Sequence, residues 1–139
     1  MVVMDLRKFP VNSLRDHIRF RFRTKEPNAM VMYGRGTQGD YLALQLVQNR
    51  MVLNVNLGSR FLTSLSVGSL LDDNSWHDVE IRREQRNITF LVDRVRVDEI
   101  ILGDFKRLNL NKEVSDGVFG GFEGVFDGLV GFLGCLKGF

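Results

Sequence analysis

Acidic residues are the first place to look for chemistry, because two carboxylates that face each other across a cleft can hydrolyse a glycosidic bond. The chain has adjacent acids at Asp72-Asp73 and at Asp98-Glu99. Neighbouring residues lie on opposite faces of a strand or within a turn, so neither pair supplies two carboxylates to one cleft. Phosphate-binding loops and nucleophile elbows do not occur in the sequence. The sequence therefore predicts a protein that is not an enzyme.

Histidine and cysteine are too few to build a zinc centre. His17 and His77 belong to different predicted strands, and Cys135 is the single cysteine. A structural zinc site takes four grouped ligands of these types. We therefore predict no zinc site from these residues.

A row of arginines lies along one face of a predicted strand, and its members are Arg19, Arg21 and Arg23. They alternate with apolar residues, and successive side chains of a strand point to opposite faces. A sulfated glycan can bind such a row through charge-assisted hydrogen bonds. The alternative, which is the more common case, is an ordinary solvated face. Binding of a sulfated, heparin-like glycan is therefore the second hypothesis for this chain.

Two features bear on the cellular compartment. Asn87-Ile88-Thr89 is an N-glycosylation sequon at a predicted hairpin tip, although such short motifs also recur by chance. Cys135 lacks a second cysteine to pair with. In a secreted domain an odd cysteine indicates a partner outside the sequence, whereas in a cytosolic protein it is an inert buried thiol. Composition does not decide between these alternatives.

Short alternating segments predict an all-β antiparallel sandwich, since no segment shows a sustained helical period. The predicted strands are 17–23, 29–33, 42–46, 51–57, 64–67, 77–83, 88–92 and 95–102. Turns are expected at Gln48-Asn49 and Asp93-Arg94, and Trp76 is expected in the core. The glycine-rich tail 118–139 favours tight turns over long strands.

Composition excludes several functional classes. The 139 residues suit one domain with one core, and the net charge of +2 is too small to indicate a nucleic-acid partner. No apolar run approaches the roughly 20 residues of a membrane span, so we expect no direct membrane insertion. The first residues do not form a signal peptide, and a secretion signal would lie outside this sequence.

The order of four motifs resembles that of laminin G-like domains, also called laminin–neurexin–sex-hormone-binding-globulin modules. The motifs occupy residues 33–41, 63–68, 71–77 and 105–111. Each motif is weakly specific alone, but their order and spacing are similar to those of contactin-associated and neurexin-like receptors. The resemblance implies a jelly-roll β-sandwich of the concanavalin-like type.

The same resemblance implies a calcium site at the mouth of the glycine-rich loop 34–39. Asp40 would supply a carboxylate, Leu57 a backbone carbonyl, and Asn109 or Asn111 a side-chain oxygen. Calcium takes roughly 6–8 oxygen ligands, so a site with one carboxylate is expected to be weak. The simpler interpretation is that Asp40 caps a turn, and both interpretations stand at this point.

The resemblance also implies where the domain lies. Residues 15–139 follow the family pattern, whereas residues 1–14 match it poorly and supply little of the family's opening strand. The family continues beyond Phe139 into further strands and a second cysteine, so we expect a domain that is incomplete at both ends. Cys135 occupies the family's disulfide position, and its partner would lie outside this chain.

The function that the resemblance implies is recognition. We expect a non-catalytic, extracellular binding module in the ectodomain of a neuronal cell-adhesion receptor with a single plasma-membrane span. Its partners would be cell-surface or extracellular-matrix proteins, or sulfated glycans. Binding is expected through the loops at the rim of the sheets, because loops on a rigid sandwich carry variable recognition.

Overall fold

The computed structural model describes residues 3–5, 11–110, 113–116 and 122–127. Thirteen strands are present in these ranges: β1 (Val3–Asp5), β2 (Val11–Ser13), β3 (Arg15–Phe22), β4 (Ala29–Arg35), β5 (Tyr41–Val47), β6 (Arg50–Asn56), β7 (Thr63–Val67), β8 (His77–Glu84), β9 (Asn87–Val92), β10 (Val95–Ile100), β11 (Leu108–Leu110), β12 (Glu113–Asp116) and β13 (Phe122–Asp127). Within the same ranges, no helix has the length and apolarity needed to span a membrane.

The strands form two large antiparallel sheets and one small one. The first large sheet has the order β1-β12-β4-β5-β6-β7, and the second has the order β10-β9-β8-β3-β13. The small sheet pairs β2 with β11, so that Val11 lies opposite Leu110. Two sheets that pack over a common core confirm the predicted antiparallel sandwich.

Tight two-residue turns set the register of two hairpins. Gln48 and Asn49 join β5 to β6, and Asp93 and Arg94 join β9 to β10; all four have positive φ. Two consecutive residues of positive φ match the twist of the flanking strands, and Asn and Asp tolerate this conformation well. The structure therefore confirms both turns that the sequence predicted.

The core lies between the two large sheets and follows the period of two that the sequence shows. In β8 the inward positions include Val79 and Ile81, and in β6 they include Leu53 and Val55; all four are buried. The largest fully buried side chains come from both sheets and are Phe22, Phe90, Ile18, Leu44, Leu46, Met51, Leu53, Leu71, Ile81, Ile88 and Ile101.

One inward position of β8 carries a charge, because Arg83 continues the alternation of Val79 and Ile81. Its side chain is 1% exposed and pairs with the equally buried Asp16 of β3, at 2.6 Å from Nη2 to Oδ2. The guanidinium also donates to the backbone oxygens of Ser13, Gln85 and Lys106. Ser13 belongs to β2, and Lys106 lies shortly before β11. Arg83 therefore links the small sheet to the sandwich through hydrogen bonds.

The chain ends contribute strands for which local patterning gives little signal. β1 and β2 lie in the segment 1–14, and they pair with β12 and β11, which are about a hundred residues away in the chain. β13 lies in the glycine-rich tail and pairs with β3, where Phe122 is opposite Phe22. These pairings are non-local, so the partner strand rather than the local sequence determines them.

Candidate functional site

A buried carboxylate marks one end of the sandwich. Asp40 follows the loop 36–39 and is only 2% exposed. Its Oδ2 accepts a hydrogen bond of 2.8 Å from the backbone N–H of Asn109, the central residue of β11. Gly58 lies on the other side, where a Cβ would stand 2.9 Å from Asp40 Oδ1. Gly58 also has φ +100°, so both the backbone and the carboxylate require glycine here.

Burial makes the negative charge of Asp40 energetically unfavourable. Burial raises the pKa of Asp40 above its ordinary value of 3.8. Hydrogen bonds from the backbone N–H groups of Asn109 and of Asp40 itself act in the opposite direction, as does the positive charge of Arg83. Because burial outweighs these effects, the ionised carboxylate gains from any further positive charge placed beside it.

The structure shows where most of the predicted calcium ligands lie. Gly58 leaves space beside Asp40 Oδ1 that any other side chain would fill. Leu57 directly precedes Gly58, and Asn109 donates its backbone N–H to Asp40, so these residues are neighbours of Asp40, while their role as calcium ligands stays a prediction. Asn111 lies outside the described residues. In the part of the chain that the structure describes, no three His, Cys, Asp or Glu residues group as a metal cluster.

Two loops meet next to this corner. The loop 57–62 joins β6 to β7, and the loop 101–107 joins β10 to β11. Ser59 Oγ donates to the backbone oxygen of Leu102, and the Leu102 N–H donates to Thr63 Oγ1 at 2.9 Å. Gly103 permits the two loops to approach each other closely, because a Cβ at this position would stand 2.5 Å from Ser59 Cβ. Gly103 also has φ +96°, a conformation that favours glycine.

The joined loops expose apolar side chains to solvent. We call Phe61, Leu62, Leu102 and Phe105 the rim patch. Phe61 and Phe105 are 58% and 57% exposed, and both leucines are exposed to a similar degree. An apolar patch on a loop rim marks an interaction surface more often than single scattered apolar residues do.

Exposed charged residues flank the rim-patch residues in the chain. Arg60 precedes Phe61, and Lys106 and Arg107 follow Phe105; all three are exposed. Asp104 is the exposed acidic residue of the same loop. The two joined loops thus combine exposed apolar residues with mainly basic ones, and protein–protein interfaces combine apolar and polar residues in the same way.

Sequence reasoning missed the rim patch, although a signal was present. Phe61-Leu62 and Phe105 stand beside glycine, serine and charged residues, where a solvated loop would carry polar side chains. Which of these apolar residues meet depends on the contact between the two loops, and that contact is non-local.

The predicted arginine row follows the outer face of β3 and continues to Arg23 just past its end. Two of its members already contact other side chains. The guanidinium groups of Arg21 and Arg23 lie 4.8 Å and 5.2 Å from the ring centroid of Trp76. Arg21 Nε is also 3.6 Å from Asp78 Oδ1. Trp76 is half-buried under the two arginines, so the prediction that it belongs to the core was wrong.

The rest of this face carries balancing acids. Arg19 lies opposite Glu80 of β8 in the strand register. Glu80 is already bound by His17 at 2.6 Å and by Arg82 at 2.7 Å. Neighbouring carboxylates weaken the field that a sulfated glycan would meet. Glycan binding by Arg19, Arg21 and Arg23 therefore stays a prediction.

A second histidine is held between two carboxylates at the start of β8. His77 Nε2 is 2.7 Å from Asp73 Oδ1, and its Nδ1 is 2.7 Å from Asp93 Oδ2. Carboxylates only accept hydrogen bonds, so both ring nitrogens are best used as donors, which requires the protonated ring. Burial lowers the pKa of His77, but the two hydrogen bonds and charges outweigh it and raise the pKa above 6.5.

This geometry predicts that the domain becomes less stable as the pH rises through the neutral range. A histidine pKa raised on folding stabilises fully below the unfolded value of about 6.5, and that stability is lost as the pH passes the folded pKa. Thermal unfolding between pH 5.5 and 8.5 should show this loss, and His77→Asn should remove much of it. The same substitution at His17 measures what the other histidine contributes. Equal pH slopes for the parent and His77→Asn would contradict the prediction.

The predicted modification sites fare differently. Asn87 is exposed and begins β9, directly after the turn at Gln85-Arg86. This exposed position is compatible with N-glycosylation, which stays a prediction. Cys135 lies outside the described residues, and its disulfide role stays a prediction as well.

Comparison with known proteins identifies the class to which this sandwich belongs. A family model described as Laminin G domain matches residues 22–139. The match covers most of the chain, so the chain belongs to the laminin G domain family. Laminin G domains are binding modules, and family membership confirms the prediction that the chain is not an enzyme.

Particular relatives agree with the resemblance to neurexin-like receptors. The chain is 57% identical to Neurexin-4 of Drosophila melanogaster over 140 residues, which cover 99% of this chain and 11% of the relative. It is 36% identical to Contactin-associated protein 1 of Mus musculus over 108 residues, which cover 73% of this chain and 8% of the relative. The chain thus spans about a tenth of the length of these curated relatives.

A solved structure confirms the jelly-roll fold. The domains LG4-5 of the mouse laminin alpha1 chain superpose with a TM-score of 0.69 at 22% sequence identity. The superposition covers 88% of this chain and 31% of that chain. At this identity the likeness shows the fold, and function has to be argued from the site.

Proposed function

We propose that the chain is an extracellular recognition module of a neuronal cell-adhesion receptor with a single membrane span, and that it binds another protein through the rim patch. The observation that carries this proposal is the group of exposed apolar residues on the two joined loops. Similarity to Neurexin-4 and to Contactin-associated protein 1 supports the receptor setting. The name of the second relative associates it with contactin, and we take a cell-surface or matrix protein as the class of partner.

The chemistry of the rim patch defines the surface that it would bind. Phe61 and Phe105 provide two large aromatic side chains, a type that often supplies much of the binding energy of an interface. Arg60, Lys106 and Arg107 are exposed basic residues on the same two loops. A complementary partner would therefore present an apolar pocket bordered by carboxylates.

Substitution of the two phenylalanines tests the proposal. Phe61→Ala and Phe105→Ala are each expected to weaken binding by about 2 kcal/mol, or about thirtyfold in Kd, because each would remove a buried aromatic anchor. The measurement is flow cytometry of the fluorescent, tetramerised chain on live cultured neurons. Unchanged binding of both variants would exclude the rim patch as the contact surface.

Leu70 offers a matched control. It is 68% exposed, and its N–H bonds to Asn49, which places it at the opposite end of β6 from Gly58. Leu70→Ala removes a similar apolar surface and should leave binding unchanged. Mild protease treatment of the cells should abolish the signal if the partner is a protein, whereas loss after heparinase treatment would favour the arginine row and a sulfated glycan instead.

Calcium binding at Asp40 is a second candidate function, favoured by the buried carboxylate and the space that Gly58 leaves beside it. Asp40, the carbonyl of Leu57 and side-chain oxygens of Asn109 and Asn111 would hold the ion. A bound cation would offset the cost of the buried charge and would tie β5, β6 and β11 together beneath the rim patch. A single carboxylate predicts weak affinity.

A further inference from the structure

β10 is the outer strand of its sheet, and among the described residues no strand pairs with its free side. Val95 pairs with Val92 across the two-residue turn, so these residues form the first hydrogen-bonded pair of the hairpin. Hydrogen-bonded and non-bonded pairs alternate in an antiparallel ladder. The N–H and C=O groups of Arg96, Asp98 and Ile100 therefore point away from β9.

Neighbouring bonds agree with this assignment. The Ile101 N–H donates to the backbone oxygen of Arg86, so Ile101 belongs to the bonded set and Ile100 does not. The Ile100 N–H instead lies 3.4 Å from a carboxylate oxygen of its neighbour Glu99. The free side of β10 thus offers backbone donors and acceptors at every second residue, which a further strand can use.

The side chains of β10 do not block this edge. Val95 and Ile100 stand near its two ends, and each is 57% exposed. Val97 lies between them, faces inward and packs against the core. Arg96 and Asp98 project from the outer face, where Arg96 Nε is 2.9 Å from Asp98 Oδ2.

The charges of β10 make the strand complementary to itself in one antiparallel register. If two copies pair about a two-fold axis at Val97, Arg96 of each copy lies opposite Asp98 of the other, and the two Val97 residues face each other. An axis at Arg96 or at Asp98 would instead place like charges opposite each other, which is unfavourable. An axis at Glu99 would place Asp98 opposite Ile100 and would leave the charges unpaired.

We propose that two copies of this chain associate through β10, with Val97 on the two-fold axis, so that their sheets join into one continuous sheet. Such an isologous contact is closed and produces a dimer. Arg96 and Asp98 select the partner and the register, while the exposed backbone groups supply the hydrogen bonds. The dimer contact is β10 itself, whereas the rim patch lies on the loops that follow β6 and β10.

Charge exchange tests this proposal. Sedimentation equilibrium of the full chain, with a reducing agent to keep Cys135 from cross-linking, should show an average mass that rises from monomer towards dimer with concentration. Arg96→Asp and Asp98→Arg would each place like charges opposite each other and should return the protein to a monomer at the same concentrations. The double variant Arg96→Asp/Asp98→Arg exchanges the charges and should restore the dimer.

Two further variants separate edge pairing from other effects. Arg96→Pro removes an N–H that points away from β9 and bonds no strand among the described residues, and it should also abolish the dimer, with folding checked by circular dichroism. Arg15→Glu changes charge by the same amount as Arg96→Asp at an exposed pair with Glu84, away from β10, and should leave the dimer intact. A parent that stays monomeric at every concentration, or a double variant that stays monomeric while folded, overturns the proposal. Cell binding through the rim patch is measured separately and is unaffected by either result.

Discussion

Replacement of Arg83 by methionine is expected to lower the free energy of unfolding by about 3–5 kcal/mol, the range found when one partner of a buried ion pair is removed. Methionine has similar length but carries no charge, so the Asp16 carboxyl group would remain buried without the guanidinium of Arg83. The backbone oxygens of Ser13, Gln85 and Lys106 would also lose the donor that each now shares. Urea denaturation of the two proteins measures the difference.

The neighbouring arginine provides the control. Arg82 is 63% exposed and pairs with Glu80 on the outer face of the same strand. Exposed pairs contribute about 0–1 kcal/mol, so Arg82→Met should change stability little. If both variants lose the same amount, the buried network does not have the role assigned to it. Arg83→Lys is the alternative if Arg83→Met fails to fold. It keeps the positive charge but loses the planar guanidinium, so its free energy of unfolding should lie below that of the parent and above that of Arg83→Met.

A paired substitution separates charge from backbone hydrogen bonding. Arg83→Met with Asp16→Leu removes both charges, so no uncompensated carboxylate remains in the core. The carbonyls of Ser13 and Lys106 still lack a donor in this variant. We therefore expect partial recovery, and the remaining deficit reports how strongly Arg83 holds the small sheet of β2 and β11.

Arg83 also shows how far the sequence could predict this fold. The alternation of Val79 and Ile81 identifies the inward face of β8, and the next inward position is residue 83. The sequence predicts a strand over 77–83, but a fully buried arginine at its last position is unexpected, because charged side chains are rarely fully buried. Its partner Asp16 is in another strand, so the compensation that permits burial is not visible in the local sequence.

The candidate site, too, was predictable only in part from the sequence. The resemblance to laminin G-like domains named Asp40, Leu57 and Asn109, and the structure brings Asp40 against Asn109 and against Gly58, the residue after Leu57. The contact that the structure shows is the backbone N–H of Asn109, whereas the prediction named its side-chain oxygen. Pairing of β2 with β11 creates this arrangement, and three-residue strands give too little alternation for prediction.

Asp40→Ala is expected to lower the free energy of unfolding by about 1–3 kcal/mol, because the buried N–H of Asn109 would lose its acceptor. Asp40→Asn should behave differently. Its amide oxygen can still accept that hydrogen bond, while the cost of the buried negative charge is removed. The raised pKa of Asp40 shows that the charge is unfavourable at neutral pH, so Asp40→Asn should be at least as stable as the parent without calcium.

Calcium should make the parent more stable than Asp40→Asn, which reverses their order of stability without calcium. At ten times its Kd, a ligand stabilises the folded state by about 1.4 kcal/mol, and the parent should gain this amount while Asp40→Asn gains almost none. Asp104→Asn removes an exposed carboxylate from the neighbouring loop and should keep the full calcium response. Equal gains for the parent and Asp40→Asn would place any bound calcium elsewhere, and no gain in the parent would make the calcium proposal wrong. In the second case a loss of stability in Asp40→Ala would still identify Asp40 as the buried acceptor that holds β11 against the rest of the sandwich.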